Sequence, residues 1–285
     1  MEQINNSKSP KTFNKEFHHI HNITHHNSSG VTRYGFMFDT IPEEIMNELS
    51  KIVTDIEESN FNKKKYNNYL AGEIEKEFEV DFNSKINKYL EDIFTYYEVR
   101  SGFVKNTLFN FQDNVFRKFL EDADNELRPG FVNNSLNYSS HFLPELIVDT
   151  PWINFQKKGE YNPMHCHSGL LSYVIWFKIP FYNQDEIQYL KNRSDKRTVN
   201  GNFSFISPFS NGYGPGRVSS FSFAVDKTYE GTIAVFPSDL NHSVNPFFTS
   251  DEYRITLSGN AFLKDNGSAR DSFIEHIKKY NKLKL

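Results

Sequence analysis

The stretch that decides the fold is WINFQKKGEYNPMHCHSGLLSYVIWFKIPF, residues 152–181. Two runs rich in β-branched and aromatic residues, WINFQ (152–156) and LLSYVIWFKI (170–179), flank a turn at GEYNP and the segment Asn162-Pro163-Met164-His165-Cys166-His167-Ser168-Gly169. Such runs bounded by Gly, Pro, Asn and Ser read as β-strands. The pattern continues downstream with NFSFI (202–206), SSFSFAV (219–225), GTIAVF (231–236) and YRITLSGNAF (253–262), with turns at NGYGPG and PSDLN. Many short strands at fairly even spacing predict a sandwich, jelly roll or barrel. Residues 183–201 are charged and aperiodic, as expected of an insertion between strands.

Outside this region the texture differs. Residues 1–33 are polar and contain His18, His19, His21, His25 and His26, which predicts a flexible surface tail that would also pick up metal ions in vitro. A helix is predicted over 40–57, with Thr40 as cap, Pro42 and Glu43 in the first turn, and Ile45, Leu49, Ile52 and Ile56 on one face. Further helices are expected over 82–98, 111–122 and 270–284. The organisation expected is a tail (1–33), a mainly helical region (34–142), a β core (143–265) and a C-terminal helix (266–285).

The chemistry concentrates in the turn after WINFQ. In an extended segment, residues i and i+2 point to the same side, so His165 and His167 can face one metal ion while Cys166 faces away as a small buried residue. PSDLNH brings a third imidazole, His242, to the end of another strand, with Asp239 beside it as a possible carboxylate. Three protein ligands on one face leave positions open, the geometry that non-haem Fe(II) needs to activate oxygen. On the strand Tyr253-Arg254-Ile255-Thr256-Leu257-Ser258, Arg254, Thr256 and Ser258 alternate onto one face. A guanidinium with a hydroxyl suits a carboxylate, which the fork binds bidentately. The strand leading into the turn offers Asn154, Gln156 and Tyr161, and the strand leaving it offers the hydroxyl of Tyr173.

The order His-x-His, a distal His, then Arg on the following strand resembles the 2-oxoglutarate/Fe(II)-dependent oxygenase superfamily. WINFQKKGEYNPMHCHSGLLSYVIWFKIPF together with EGTIAVFPSDLNHSVNPFFTSDEYRITLSGN (230–260) resembles an oxygenase group of tailed, especially marine, bacteriophages; LAGEIEKEFEV (70–80) resembles an upstream segment of the same group. The resemblance implies a double-stranded β-helix of the jelly-roll or cupin-like kind. It implies iron held by His165 and His242, the C5 carboxylate of 2-oxoglutarate held by Arg254 with Ser258 assisting, and Tyr173 close enough to touch the cosubstrate. It implies oxidative decarboxylation to succinate, with O2 consumed and a substrate oxidised, as in a hydroxylase. The family's second ligand is Asp or Glu, whereas this chain has His167. Three readings of His167 stand side by side: a ligand in a three-histidine face, a residue outside the coordination shell, or a mark of lost activity.

Composition narrows the setting. The 28 Phe and 15 Tyr can build a core from large rings despite an apolar fraction of only 38%. A formal charge of −4 with no long basic run supplies no argument for a nucleic-acid partner. A single cysteine excludes an intrachain disulfide, and no apolar run is long enough to span a bilayer. The expectation is a soluble cytoplasmic protein (the host cytoplasm, if phage-encoded) with no membrane partner, and with a homodimer possible. Its substrate is a protein, a nucleobase or a small molecule. No P-loop or GxGxxG element occurs. Two competing functions remain at this point: a non-catalytic β-helix module of a phage, and a cupin-like three-histidine dioxygenase that uses no 2-oxoglutarate. Arg254 discriminates the latter by whether it faces the metal cavity or solvent.

Overall fold

The computed structural model describes residues 21–27, 30–66, 70, 72–101, 146–189, 199–207 and 219–263. Eleven strands lie in this part of the chain: β1 (His21–Asn27), β2 (Gly30–Thr40), β3 (Glu77–Glu79), β4 (Leu146–Gln156), β5 (Asn162–His165), β6 (Leu171–Lys178), β7 (Phe203–Ser207), β8 (Ser219–Phe223), β9 (Thr232–Pro237), β10 (His242–Val244) and β11 (Arg254–Leu263). They form a seven-stranded sheet, ordered β1-β2-β9-β6-β11-β4-β3, and a four-stranded sheet, ordered β5-β10-β7-β8. From Leu146 to Leu263 the chain passes back and forth between the two sheets, and every pairing is antiparallel. This is the expected double-stranded β-helix, a jelly roll in which two sheets share one interior.

The large sheet is buried on both faces. Along β6, Leu171, Tyr173 and Ile175 join the core under the helices, while Val174 and Trp176 join the aromatic core between the sheets. The inner core is built from rings: Phe36 stacks on Phe205 at 4.7 Å, and Phe205 meets Phe236 edge-on at 5.0 Å. Offset and edge-on packing suits the ring quadrupoles, and each fully buried ring contributes about 1.5–3 kcal/mol by leaving water.

Two helices cover the outer face of the large sheet. In α1 (Glu43–Glu58), Ile45, Leu49, Val53 and Ile56 are buried. Its cap is the Pro42 position, whose carbonyl accepts from Ile45 and Met46, and Thr40, expected as the cap, instead ends β2. In α2 (Ser84–Ser101) the Asn83 side chain accepts from the backbone N–H groups of Lys85 and Ile86, satisfying donors that a helix start leaves orphaned. Tyr97 on α2 donates to the Gly35 carbonyl at 2.7 Å, tying helix to sheet.

Within and just after the stretch 1–33, β1 and β2 pair antiparallel, and β2 pairs with β9 from Met37 to Thr40. Phe36 and Phe38 face the inner core while Met37 faces the helices, so β2 is anchored by both cores. The stretch 183–201 opens with a short helix, α3 (Asn183–Tyr189). The helices expected over 111–122 and 270–284 lie outside the described residues. Among the described residues no helix is long and apolar enough to cross a membrane.

Candidate metal centre

His165 ends β5 and His242 begins β10, and the two are direct cross-strand partners. His167 lies two residues on, in the turn to β6, where its N–H donates to the Ser238 carbonyl at 2.8 Å. That turn passes tightly by β11 at Gly169, whose φ is +98°; a Cβ there would meet the Ala261 carbonyl at 2.9 Å. Only glycine satisfies both demands.

The three imidazoles each bring one nitrogen to within 4.8 Å of the other two. Two nitrogens that each sit about 2.1 Å from one ion are at most about 4.2 Å apart, so modest ring rotation brings the set onto a single metal. Among the described residues no carboxylate belongs to this group; Asp239 is exposed and lies outside it. Nδ1 of His165 donates to the Pro163 carbonyl at 2.7 Å, and Nδ1 of His242 to the Leu240 carbonyl at 3.0 Å. A carbonyl can only accept, so both rings carry their proton on Nδ1 and keep the Nε2 lone pair for a metal.

Electrostatics favours the neutral imidazoles that ligation needs. Burial lowers the His165 pKa, against the opposing pull of its Pro163 bond. Burial, and then the neighbouring His165, lower that of His167 to about 4. Burial, then His165 and His167, push His242 well below its ordinary value.

A cavity of about 50 Å³, open at its mouth, runs from the histidines between the sheets. One wall is a lane of three cross-strand pairs: Ser258 with Trp152, Thr256 with Asn154, and Arg254 with Gln156. Arg254, 1% exposed, ends the lane. Its Nε and one terminal nitrogen donate to Gln156 Oε1 at 2.9 and 2.6 Å, and the terminal nitrogens also reach the carbonyls of Gly201 (2.9 Å) and Asn245 (3.1 Å). All these partners are neutral. Burial lowers the Arg254 pKa to about 9, opposed by Glu186, so the guanidinium stays charged at neutral pH. Glu186 itself is engaged with the backbone N–H groups of Phe248 and Thr249. A buried cation among neutral acceptors is an incomplete ion pair, and an incoming carboxylate would complete it. Midway along the lane, Asn154 Nδ2 reaches Thr256 Oγ1 weakly at 3.5 Å, and Asn154 Oδ1 has no hydrogen-bond partner.

Residues 150–260 match the protein family described as "Putative 2OG-Fe(II) oxygenase". This segment is a 2OG-Fe(II) oxygenase domain. Such a domain uses Fe(II), 2-oxoglutarate and O2, and the histidine cluster and buried arginine have the chemistry to receive the first two. No curated protein matches the chain. Among solved structures, a Pseudomonas putida prolyl-4-hydroxylase is similar at 12% identity and TM-score 0.38, over 81% of this chain and 94% of that one. A Trichoplax adhaerens prolyl hydroxylase, solved with a hypoxia inducible factor peptide fragment, is similar at 11% identity and TM-score 0.38, over 80% and 83%. A Burkholderia pseudomallei 2OG-Fe(II) oxygenase family oxidoreductase is similar at 18% identity and TM-score 0.30, over 53% and 60%.

Within the oxygenase domain, His165, His167, His242, Arg254 and Ser258 meet on one cavity. Tyr173 also borders that cavity, and its ring packs 5.9 Å from Phe94 of α2, in the layer under the helices. Its hydroxyl lies over Gly259, where a Cβ would come within 2.5 Å of it, and has no hydrogen-bond partner. Strand parity puts the Tyr173 ring in the opposite core layer from Val174 and Trp176. Cys166, expected to be buried, is exposed on the outside of the turn. Thr256 lies on the cavity with Arg254 and Ser258, as its parity predicts, whereas sequence reasoning missed Leu70 and Ile74 in the cavity wall.

Proposed function

We propose that this oxygenase domain couples oxidative decarboxylation of 2-oxoglutarate to succinate with hydroxylation of a substrate. His165, His167 and His242 hold Fe(II), and Arg254 receives the C5 carboxylate. The observation that carries this reading is one cavity with three neutral imidazoles at one end and a charged, fully buried arginine among neutral partners at the other.

Each residue's part follows from its surroundings. The carbonyls of Pro163 and Leu240 hold His165 and His242 in the tautomer that presents Nε2. Gln156 and two backbone carbonyls hold the Arg254 guanidinium in place, so little rotamer entropy is lost when a carboxylate binds. Thr256 and Asn154 supply polar contacts midway, and Ser258 lies toward the histidine end of the lane. Trp152, Phe203 and Phe236 surround the imidazoles with rings that exclude water. Iron, when bound, supplies the site where O2 is activated for substrate oxidation. With three neutral ligands the ion keeps its full +2 charge, one unit more than beside a carboxylate ligand, and Arg254 adds another. A dianionic oxoacid offsets most of that charge.

Because Arg254 lines the cavity and is shielded from solvent, the reading with 2-oxoglutarate is favoured over a three-histidine dioxygenase without it. Anaerobic titration of Fe(II) and 2-oxoglutarate into the full chain tests this. A visible metal-to-ligand charge-transfer band that is lost in His242→Ala is the expected result. The absence of a band, with no succinate formed under air, overturns the proposal.

A further inference from the structure

The segment Leu70–Val80 has no part in the proposed function, yet two of its described residues, Leu70 and Ile74, line the cavity. The large sheet ends in β3 and the small sheet ends in β5, so the interior would open between these two edges. Residues 72–76, which lead into β3, bridge that gap. The Glu73 N–H donates to the Tyr161 carbonyl at 2.9 Å, and the Glu75 N–H to a Glu160 carboxylate oxygen at 3.3 Å. At Gly72 the bridge presses on β5: a Cβ there would stand 2.0 Å from Asn162 Oδ1. On its inner side, Ile74 (4% exposed) and Leu70 line the cavity together with Trp152 and His167. The Trp152 ring lies 5.4 Å from His167 and is backed by Tyr66, stacked at 5.8 Å.

We propose that this strap is the specificity wall of the oxygenase, with Leu70, Ile74 and Trp152 receiving the reacting part of the substrate as an uncharged apolar or aromatic group. The inference rests on the histidine cluster being the metal centre. Arg254 is the only charged side chain, apart from titratable histidines, among the described residues that line the cavity; it sits at the far end of the lane and is committed to the cosubstrate. A buried ion of either sign would therefore find no partner beside the strap, and burying an unpaired charge costs far more than the contacts return. Hydrocarbon or aromatic surface gains there, against Ile74, Leu70 and the Trp152 ring. The outer side of the strap carries exposed Glu73 and Glu75, and Lys157 nearby is ion-paired with Glu75 at 3.3 Å.

The test uses the full chain loaded with Zn(II) and 2-oxoglutarate, with bound 2-oxoglutarate quantified separately. Benzamide, benzoate and benzamidinium are probes of one shape and three charges, and saturation-transfer NMR reads their binding. Benzamide should bind saturably, with the two ions at least tenfold weaker. Ile74→Trp and Leu70→Trp, which fill the chamber, should each weaken benzamide at least tenfold while leaving bound 2-oxoglutarate unchanged; Leu70 is half-buried, so its variant remains informative if Ile74→Trp does not fold. Equal binding of either ion, or benzamide binding untouched in both variants, overturns the inference. Failure of 2-oxoglutarate to load counts against the metal-centre reading instead, and the same probes on metal-free protein then decide the wall by itself.

Discussion

His165 and His242 face each other directly across the antiparallel β5–β10 pair, with ring centroids 4.3 Å apart. Their approach is set by strand register, so any metal held between them is held by two strands that are distant in sequence. Removing either ring should empty the centre. His242→Ala and His165→Ala are expected to lose the central Fe(II) and the charge-transfer band, while the histidine-rich N-terminus still gives weak background metal binding. Iron stoichiometry together with the band checks this; central iron retained in His242→Ala would remove that ligand assignment.

Arg254 should matter to the cosubstrate and little to the metal. Its hydrogen bonds all go to neutral acceptors, so a bound carboxylate that replaces one of them would gain a charge-assisted bond. Arg254→Lys keeps the charge but loses the fork, and should weaken 2-oxoglutarate about tenfold, or roughly 1.4 kcal/mol. Arg254→Ala should weaken it further, by about 2–5 kcal/mol. The check is 2-oxoglutarate titration at fixed, saturating Fe(II), and an unchanged affinity would take Arg254 out of this role.

Glu77 makes stability depend on pH. Burial, and then the nearby Glu160, raise its pKa from 4.5 to about 7. Below about pH 4.5 the carboxyl is protonated in both folded and unfolded chains and carries no penalty. Between pH 4.5 and 7 the folded state binds more protons, so this residue's contribution to stability falls as pH rises, and the full penalty is present above pH 7. That penalty is at most about 3 kcal/mol. Glu77→Gln should therefore raise the melting temperature at pH 8 more than at pH 5, as read by thermal denaturation at both values.

Gly72 and Asn162 form a steric pair whose two sides can be changed separately. Gly72→Ala should strain the strap against Asn162 Oδ1 and cost about 1–3 kcal/mol. Asn162→Ala removes the obstructing amide, so the double variant should recover a large part of that loss. Denaturant unfolding of the four proteins measures the coupling, and strictly additive losses would show that the contact is not what constrains residue 72.

Several features were legible in the residues themselves because they depend on short periods. Alternation placed Arg254, Thr256 and Ser258 on one face, the His-x-His spacing put two imidazoles on one side, and the Ile45, Leu49 and Ile56 stripe marked the buried side of α1. Other features depended on packing between distant segments. The large sheet is covered on both sides, so β6 is almost uniformly apolar and its sequence does not say which face meets the metal; the packing of the Tyr173 ring against Phe94 was not legible for that reason. Strand β2 pairs with β9, a partner about 190 residues away in the chain, reach enough that no local pattern reports it.

The sequence by itself determined the strand-rich core, the three histidines and the arginine as the chemically competent residues, because strand parity and donor chemistry are local properties. Only the tertiary structure decided that Arg254 is sealed among neutral carbonyl groups, that Tyr173 turns toward the helices, and that Leu70 and Ile74 close the cavity. Each of these follows from which surfaces two sheets and two helices bury against one another, and burial is a property of the assembled fold.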